Sequence, residues 1–148
     1  KNVNSIAHAH PMYGKTFSTL GKVLDPISQD SCAFYERTAM FADYDGVANG
    51  PDEGINIAKA LGDKDFVILQ NHGILTTGTM VDTTIWYFLN MEDACKSQLL
   101  AEAVGKPIVI PHDTACATRD YVANDLSAYV SFQPTIDVLW EEEPDLLD

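Results

Sequence analysis

The stretch that most constrains this 148-residue chain is Phe66-Val67-Ile68-Leu69-Gln70-Asn71-His72-Gly73. An apolar run of strand length without polar alternation reads as a central strand. The Asn71-His72-Gly73 corner then turns the chain, and Gly73 to Thr77 reads as a second short strand. A polar Asn-His pair at the end of an apolar strand is where α/β folds place site residues. The plainer reading of His72 is that it only satisfies a hydrogen bond of the turn.

Strand and helix patterns alternate around this pair. Val3 to His10 is small-residue rich; if extended, it points Asn4, Ile6, His8 and His10 one way and Val3, Ser5, Ala7 and Ala9 the other. Pro11 stops the ladder because it lacks an N–H. Met12 to Leu20 reads as a short helix ending at Gly21, Asp25 to Asp30 as a loop, and Cys32 to Ala42 as either strand or irregular chain. Asn49 or Gly50 caps a helix that Pro51 opens, with Ile55, Ala58 and Leu61 as its apolar stripe. A long helix spans about Met80 to Val104, opened by Thr79-Met80-Val81-Asp82 as a capping box and closed by Gly105 and Pro107. Its expected stripe is Val81, Ile85, Phe88, Cys95 and Leu99, interrupted by Glu92.

His8-Ala9-His10 is the most informative local feature. Residues two apart in a strand lie about 6.6 to 6.8 Å from one another on one face, so two imidazoles can converge on one ion. Neutral imidazole suits zinc and related divalent ions. An ordinary sheet face also accommodates two histidines.

Charge narrows the partners. A net charge of -13 with no basic cluster opposes nucleic acid and anionic membrane surfaces. The apolar runs are far shorter than the roughly 18 to 20 residues of a bilayer crossing, so the chain reads as soluble. Cys32, Cys95 and Cys116 form no C-x-x-C pair. They indicate neither a disulfide framework nor a thiolate zinc site, and the expected compartment is the reducing cytoplasm. Residues 106 to 148 hold 2 basic and 9 acidic residues, over half the net charge. The expected boundary at Gly105-Lys106-Pro107 separates a patterned body, 1 to 106, from a looser acidic C-terminal extension, 107 to 148. Lys1 is not an initiator Met, and the chain reads as a piece of a longer protein.

Three further segments join the histidines: Tyr44 in a loop before the Pro51 helix, Val67 through Gly78, and a long helix containing Glu92-Asp93-Ala94-Cys95. In this order they resemble the class II aldolase/adducin family over about residues 1 to 107. Tyr13-Gly14-Lys15 and Leu24-Asp25-Pro26-Ile27-Ser28-Gln29-Asp30 are similar to adducin-domain proteins of fungi. The resemblance implies a three-layer α/β/α sandwich with a mixed, largely antiparallel sheet. It also implies one divalent ion, zinc foremost, on His8, His10 and His72. The implied activity is that of a lyase, epimerase or dehydratase acting through an enediolate on a small hydroxy-carbonyl compound, a sugar or sugar phosphate. A homotetramer is implied as well.

In that family the acid/base carboxylate and the phosphate loops precede H-x-H. No catalytic acid/base is therefore expected in this chain, which should be inactive alone. The alternative is a non-catalytic scaffold like the head domain of adducin, or a metal-binding domain for protein assembly. Glu92 would orient a metal-bound histidine, or else pair with Lys96 at i, i+4. Tyr44 would hydrogen-bond substrate or pack in the core. Lys15 would attract an anionic substrate or sit on a solvated helix face, and His112 reads as a surface residue.

Overall fold

The computed structural model describes residues 2–43 and 51–145. Along them run strand β1 (Ser5–Ala9), helix α1 (Met12–Ser18), a 3-10 turn (Ser31–Phe34), strand β2 (Thr38–Phe41) and helix α2 (Pro51–Leu61). Strands β3 (Phe66–Leu69) and β4 (Gly73–Gly78) follow, then helices α3 (Val81–Val104), α4 (His112–Val122) and α5 (Asp125–Glu142). The strands form one sheet in the order β1-β4-β3-β2. β4 is antiparallel to both β1 and β3, while β2 runs parallel to β3.

The apolar run determines the layering. Successive side chains of β3 point to opposite faces, and all four are 0 to 1% exposed. Phe66 and Ile68 enter a core with Phe17, Phe34, Ile74, Tyr87, Met91 and Cys95, on the side of α1, α3 and α5. Val67 and Leu69 pack with Phe41 against Ile57, Ala60 and Leu61 of α2. Each such side chain contributes about 1.5 to 3 kcal/mol on burial, so β3 needs a helical layer on both faces. The result is the α/β/α fold with a mixed, largely antiparallel sheet that the resemblance implies. Among the described residues no helix is long and apolar enough to cross a membrane.

Three helix expectations change. The face that α2 turns to the sheet carries Ile57, Ala60 and Leu61, whereas Ile55 is 51% exposed. Helix α3 buries Thr83, Thr84, Tyr87, Met91, Ala94, Cys95 and Gln98, and Val81 of the expected stripe is 64% exposed. The reason is its position, because α3 packs on the sheet and α1 as well as on α5 and so buries more than one narrow stripe. Its start is not a capping box: Met80 is the N-cap, without a side-chain cap bond. Thr83 and Thr84 hydroxyls donate back to the Met80 carbonyl at 3.1 and 2.8 Å, and Thr79 Oγ1 donates to Asp125 Oδ2 at 3.1 Å.

The 32–42 segment forms the end of the 3-10 turn and then strand β2. Residues 107–148, expected to be loose, carry α4 and α5. α5 lies on α3 with Ala128 and Phe132 buried. α4 packs on the Ser31–Phe34 turn, where Ala115 is fully buried. Tyr44 lies outside the described residues.

Candidate metal centre

Strand β1 pairs His8 with Leu75 and Ala9 with Ile74, and the pleat places His8 and His10 on one face. The third histidine sits on the β3–β4 turn. There the His72 N–H donates to the Leu69 carbonyl at 3.0 Å, and Asn71 takes a φ of 57°. A four-residue turn with a positive φ at its third position favours Gly or Asn there, which explains why an asparagine precedes the histidine. The Asn71 N–H also reaches the Ser18 carbonyl at 3.4 Å, tying the corner to the end of α1.

Gly73 lets the two segments close on one another. A Cβ at this position would lie 2.6 Å from the Ala9 carbonyl oxygen and 3.1 Å from His10 Cδ2. Because that space is empty, the three imidazoles meet with ring centroids 5.1 Å (His8–His10), 4.9 Å (His8–His72) and 4.5 Å (His10–His72) apart. One ligating nitrogen from each lies within 4.8 Å of the others.

Protonation favours ligation. His8 Nδ1 lies 2.9 Å from the Ile74 carbonyl oxygen. A carbonyl oxygen only accepts, so Nδ1 carries the hydrogen, and in the neutral tautomer this selects, Nε2 is the nitrogen left to ligate, the arrangement in which a backbone group orients a ligating histidine. Burial, and after it the neighbouring His8 and His10, hold the His72 pKa below the ordinary 6.5, against a weaker opposing effect of Glu53. The neutral ring is the ligating form. Three imidazole nitrogens on an open face, with His8 and His10 exposed, fit a borderline divalent ion that retains a free position.

Glu92 has a different part from either expectation. Pro11, the N-cap of α1, provides no side-chain cap bond, and a helix start needs acceptors for its free N–H groups. The Glu92 carboxylate supplies them, accepting from Tyr13 N–H at 2.9 Å and Gly14 N–H at 2.5 Å. Its negative charge suits that end of the helix. Lys96, the other expected partner, lies over the Tyr13 ring, 5.3 Å from its centroid. Lys15 stands exposed on α1. His112 is 61% exposed but is not isolated, since it lies near Glu36 and Cys116. The Ile74 carbonyl and the space beside Gly73 were missed by sequence reasoning. A backbone oxygen leaves no residue signal, and the glycine was read only as part of a turn.

Fold and site together define an α/β/α domain with three histidines converging beside the β1–β4 strand pair. The family described as "Class II Aldolase and Adducin N-terminal domain" matches residues 1–99, and the chain belongs to it. Similar relatives include Decarboxylase NovR of Streptomyces niveus, 36% identical over 145 residues, which are 98% of this chain and 54% of that protein. Another is the Meiotically up-regulated gene 14 protein of Schizosaccharomyces pombe, 39% identical over 87% of this chain and 51% of that protein. Among solved structures, an L-fuculose 1-phosphate aldolase from Glaciozyma antarctica PI12 superposes with a TM-score of 0.85 at 38% identity. That match covers 95% of this chain and 53% of the other. The chain spans about half the length of these relatives.

Proposed function

We propose that this chain carries the metal-binding part of a divalent-metal-dependent enzyme, zinc foremost, acting as a lyase, epimerase or dehydratase on a small hydroxy-carbonyl compound such as a sugar or sugar phosphate. The convergence of His8, His10 and His72 carries this reading. A divalent ion bound there supplies Lewis-acid chemistry, polarising the substrate's oxygens and offsetting the charge that develops as a C–C or C–H bond breaks. His8, its Nδ1–H on the Ile74 carbonyl, keeps Nε2 available. Burial lowers the His72 pKa and so favours its neutral, ligating form. Glu92 fixes the start of α1, and with it the His10-Pro11 segment that follows β1, by holding the N–H groups of Tyr13 and Gly14. The open side of the cluster is where substrate enters. In this proposal Lys15 attracts an anionic substrate, Tyr44 donates a hydrogen bond to it, and the proton-moving carboxylate comes from sequence preceding residue 1. The chain alone is then inactive, and the whole protein works as a cytoplasmic homotetramer.

Elemental analysis tests the site. His10→Ala and His72→Ala are each expected to lose one equivalent of zinc relative to the unaltered chain, and equal metal content in all three would remove the assignment. A non-catalytic scaffold, the alternative that the adducin branch of the family suggests, predicts a protein partner whose capture survives both substitutions. The enzyme predicts turnover of a hydroxy-carbonyl substrate once the upstream sequence is joined.

A further inference from the structure

A second set of metal-ligating side chains lies outside the histidine cluster. Glu36 sits between the 3-10 turn and β2, with a φ of 59°. His112 and Cys116 are four residues apart on α4, a spacing that puts both on one helix face. Cys116 Sγ lies 3.8 Å from each ring nitrogen of His112 and 3.8 Å from Glu36 Oε2. His112 Nδ1 is 3.9 Å from Glu36 Oε1. Bonds of about 2.0 Å to N or O and about 2.3 Å to S put tetrahedral zinc ligands about 3.3 to 3.6 Å apart. The Cys116 Sγ–His112 Nε2 pair therefore needs to close by only a few tenths of an ångström, and one ligating atom from each of the three residues lies within 4.8 Å of the others.

The surroundings orient these groups. Tyr35 Oη lies 3.1 Å from His112 Nδ1, so it can accept the Nδ1 hydrogen and leave Nε2 for an ion. Arg119 donates to Glu36 Oε2 at 3.2 Å, steadying the carboxylate by one oxygen while the other faces His112. Its own charge opposes a cation, but it is also shared with Asp120, 2.8 Å from Arg119 Nε. One sulfur, one imidazole nitrogen and one carboxylate oxygen make a borderline-soft donor set that suits zinc or cobalt rather than magnesium or calcium.

We propose that Glu36, His112 and Cys116 form a second cation site, for a zinc-like divalent ion, that fastens α4 to the segment leading into β2. On binding, a metal–sulfur bond forms, and the thiol proton leaves to solvent without any change of oxidation state. Water or an external ligand completes the shell on the exposed side. This site is independent of the histidine cluster, which contains no sulfur, and that difference supplies the test.

Cobalt(II) is the probe, because a near-ultraviolet sulfur-to-cobalt charge-transfer band requires a thiolate ligand. Cys32 and Cys95 are fully buried, so the band reports Cys116. The unaltered protein and His72→Ala are both expected to show it, while Cys116→Ser and His112→Ala lose it. Glu36→Gln is expected to need about tenfold more cobalt. Far-ultraviolet circular dichroism and the urea midpoint establish that each variant is folded. No band in the unaltered protein, or a band that survives Cys116→Ser, overturns the site. So does an iodoacetamide reaction at Cys116 that saturating cobalt leaves unslowed, a result that would favour a reactive Cys–His pair instead.

Discussion

Replacing Gly73 by alanine tests whether the close approach of β1 to the histidine corner assembles the site. The new Cβ would stand 2.6 Å from the Ala9 carbonyl oxygen, against about 3.4 Å for ordinary contact, a shortfall of about 0.8 Å. That oxygen belongs to the backbone and cannot swing aside as a side-chain end does. β4 is held between β1 and β3, so the edge strand β1 must yield, carrying His8 and His10 away from His72. Overpacking of this kind costs about 1 to 3 kcal/mol. Metal sites tolerate about 0.2 Å of error in ligand distance, and even half of this displacement exceeds that. Zinc affinity should fall by more than about tenfold, or about 1.4 kcal/mol. The assay is competition against a chromophoric chelator in a Cys116→Ser background, which reads the histidine cluster alone, with urea unfolding of the metal-free protein alongside. Gly54→Ala is the control: its added methyl meets nothing within 4 Å, and in α2 it should stabilise by about 0.5 to 1 kcal/mol. A Gly73→Ala protein with the unaltered zinc affinity and unfolding midpoint would refute the reasoning.

Three other outcomes are expected. Glu92→Ala removes two charge-assisted hydrogen bonds from the start of α1 and should destabilise by about 2 to 3 kcal/mol in urea unfolding; a change under about 0.5 kcal/mol would mean that water replaces the carboxylate without loss. In the metal-free protein, burial lowers the His72 pKa below 6.5, so between its folded and unfolded pKa values the unfolded chain binds more protons. The resulting contribution to stability is present above pH 6.5 and is lost as pH falls through the depressed folded value. His72→Gln should remove that part of the slope in urea midpoints taken from pH 8 to pH 5, and an unchanged slope would contradict the shift. Burial, followed by the charge of Glu92, pushes the Cys95 thiol up to about 12, and burial also raises Cys32. Iodoacetamide at pH 8 should therefore label Cys116 and spare both in the native protein, read by peptide mass spectrometry; labelled Cys95 would show that this face of α3 opens to solvent.

The layered fold was legible where one pattern admitted one solution. Phe66 to Leu69 is apolar at every position, so a strand there must be covered on both faces, and the structure covers it on both. Helix faces were less legible. α3 carries apolar residues around most of its circumference and touches the sheet, α1 and α5, so no single stripe in its sequence marks the buried side. α2 offered Ile55 and Ile57 two positions apart, and only contact with β2 and β3 selects Ile57. The acidic composition of residues 107–148 concealed two helices because a few small or aromatic residues, Ala115, Ala128 and Phe132, suffice to seat them.

By itself, the sequence determined what local chemistry dictates. It set two imidazoles on one face of a strand, a turn that an Asn can enter, a proline that ends β1 and a glycine that ends α3. Backbone sterics and the period of side chains act over a few residues, and their marks can be read directly. Only the tertiary structure decided which distant groups meet. His72 comes to His8 and His10 because β4 pairs with β1 and Gly73 leaves room. Glu92 serves α1 because α3 crosses its start. Glu36 finds His112 and Cys116 because α4 lies over the turn before β2. These encounters depend on how whole faces pack, and packing follows from the summed burial of many side chains rather than from the spacing of any few.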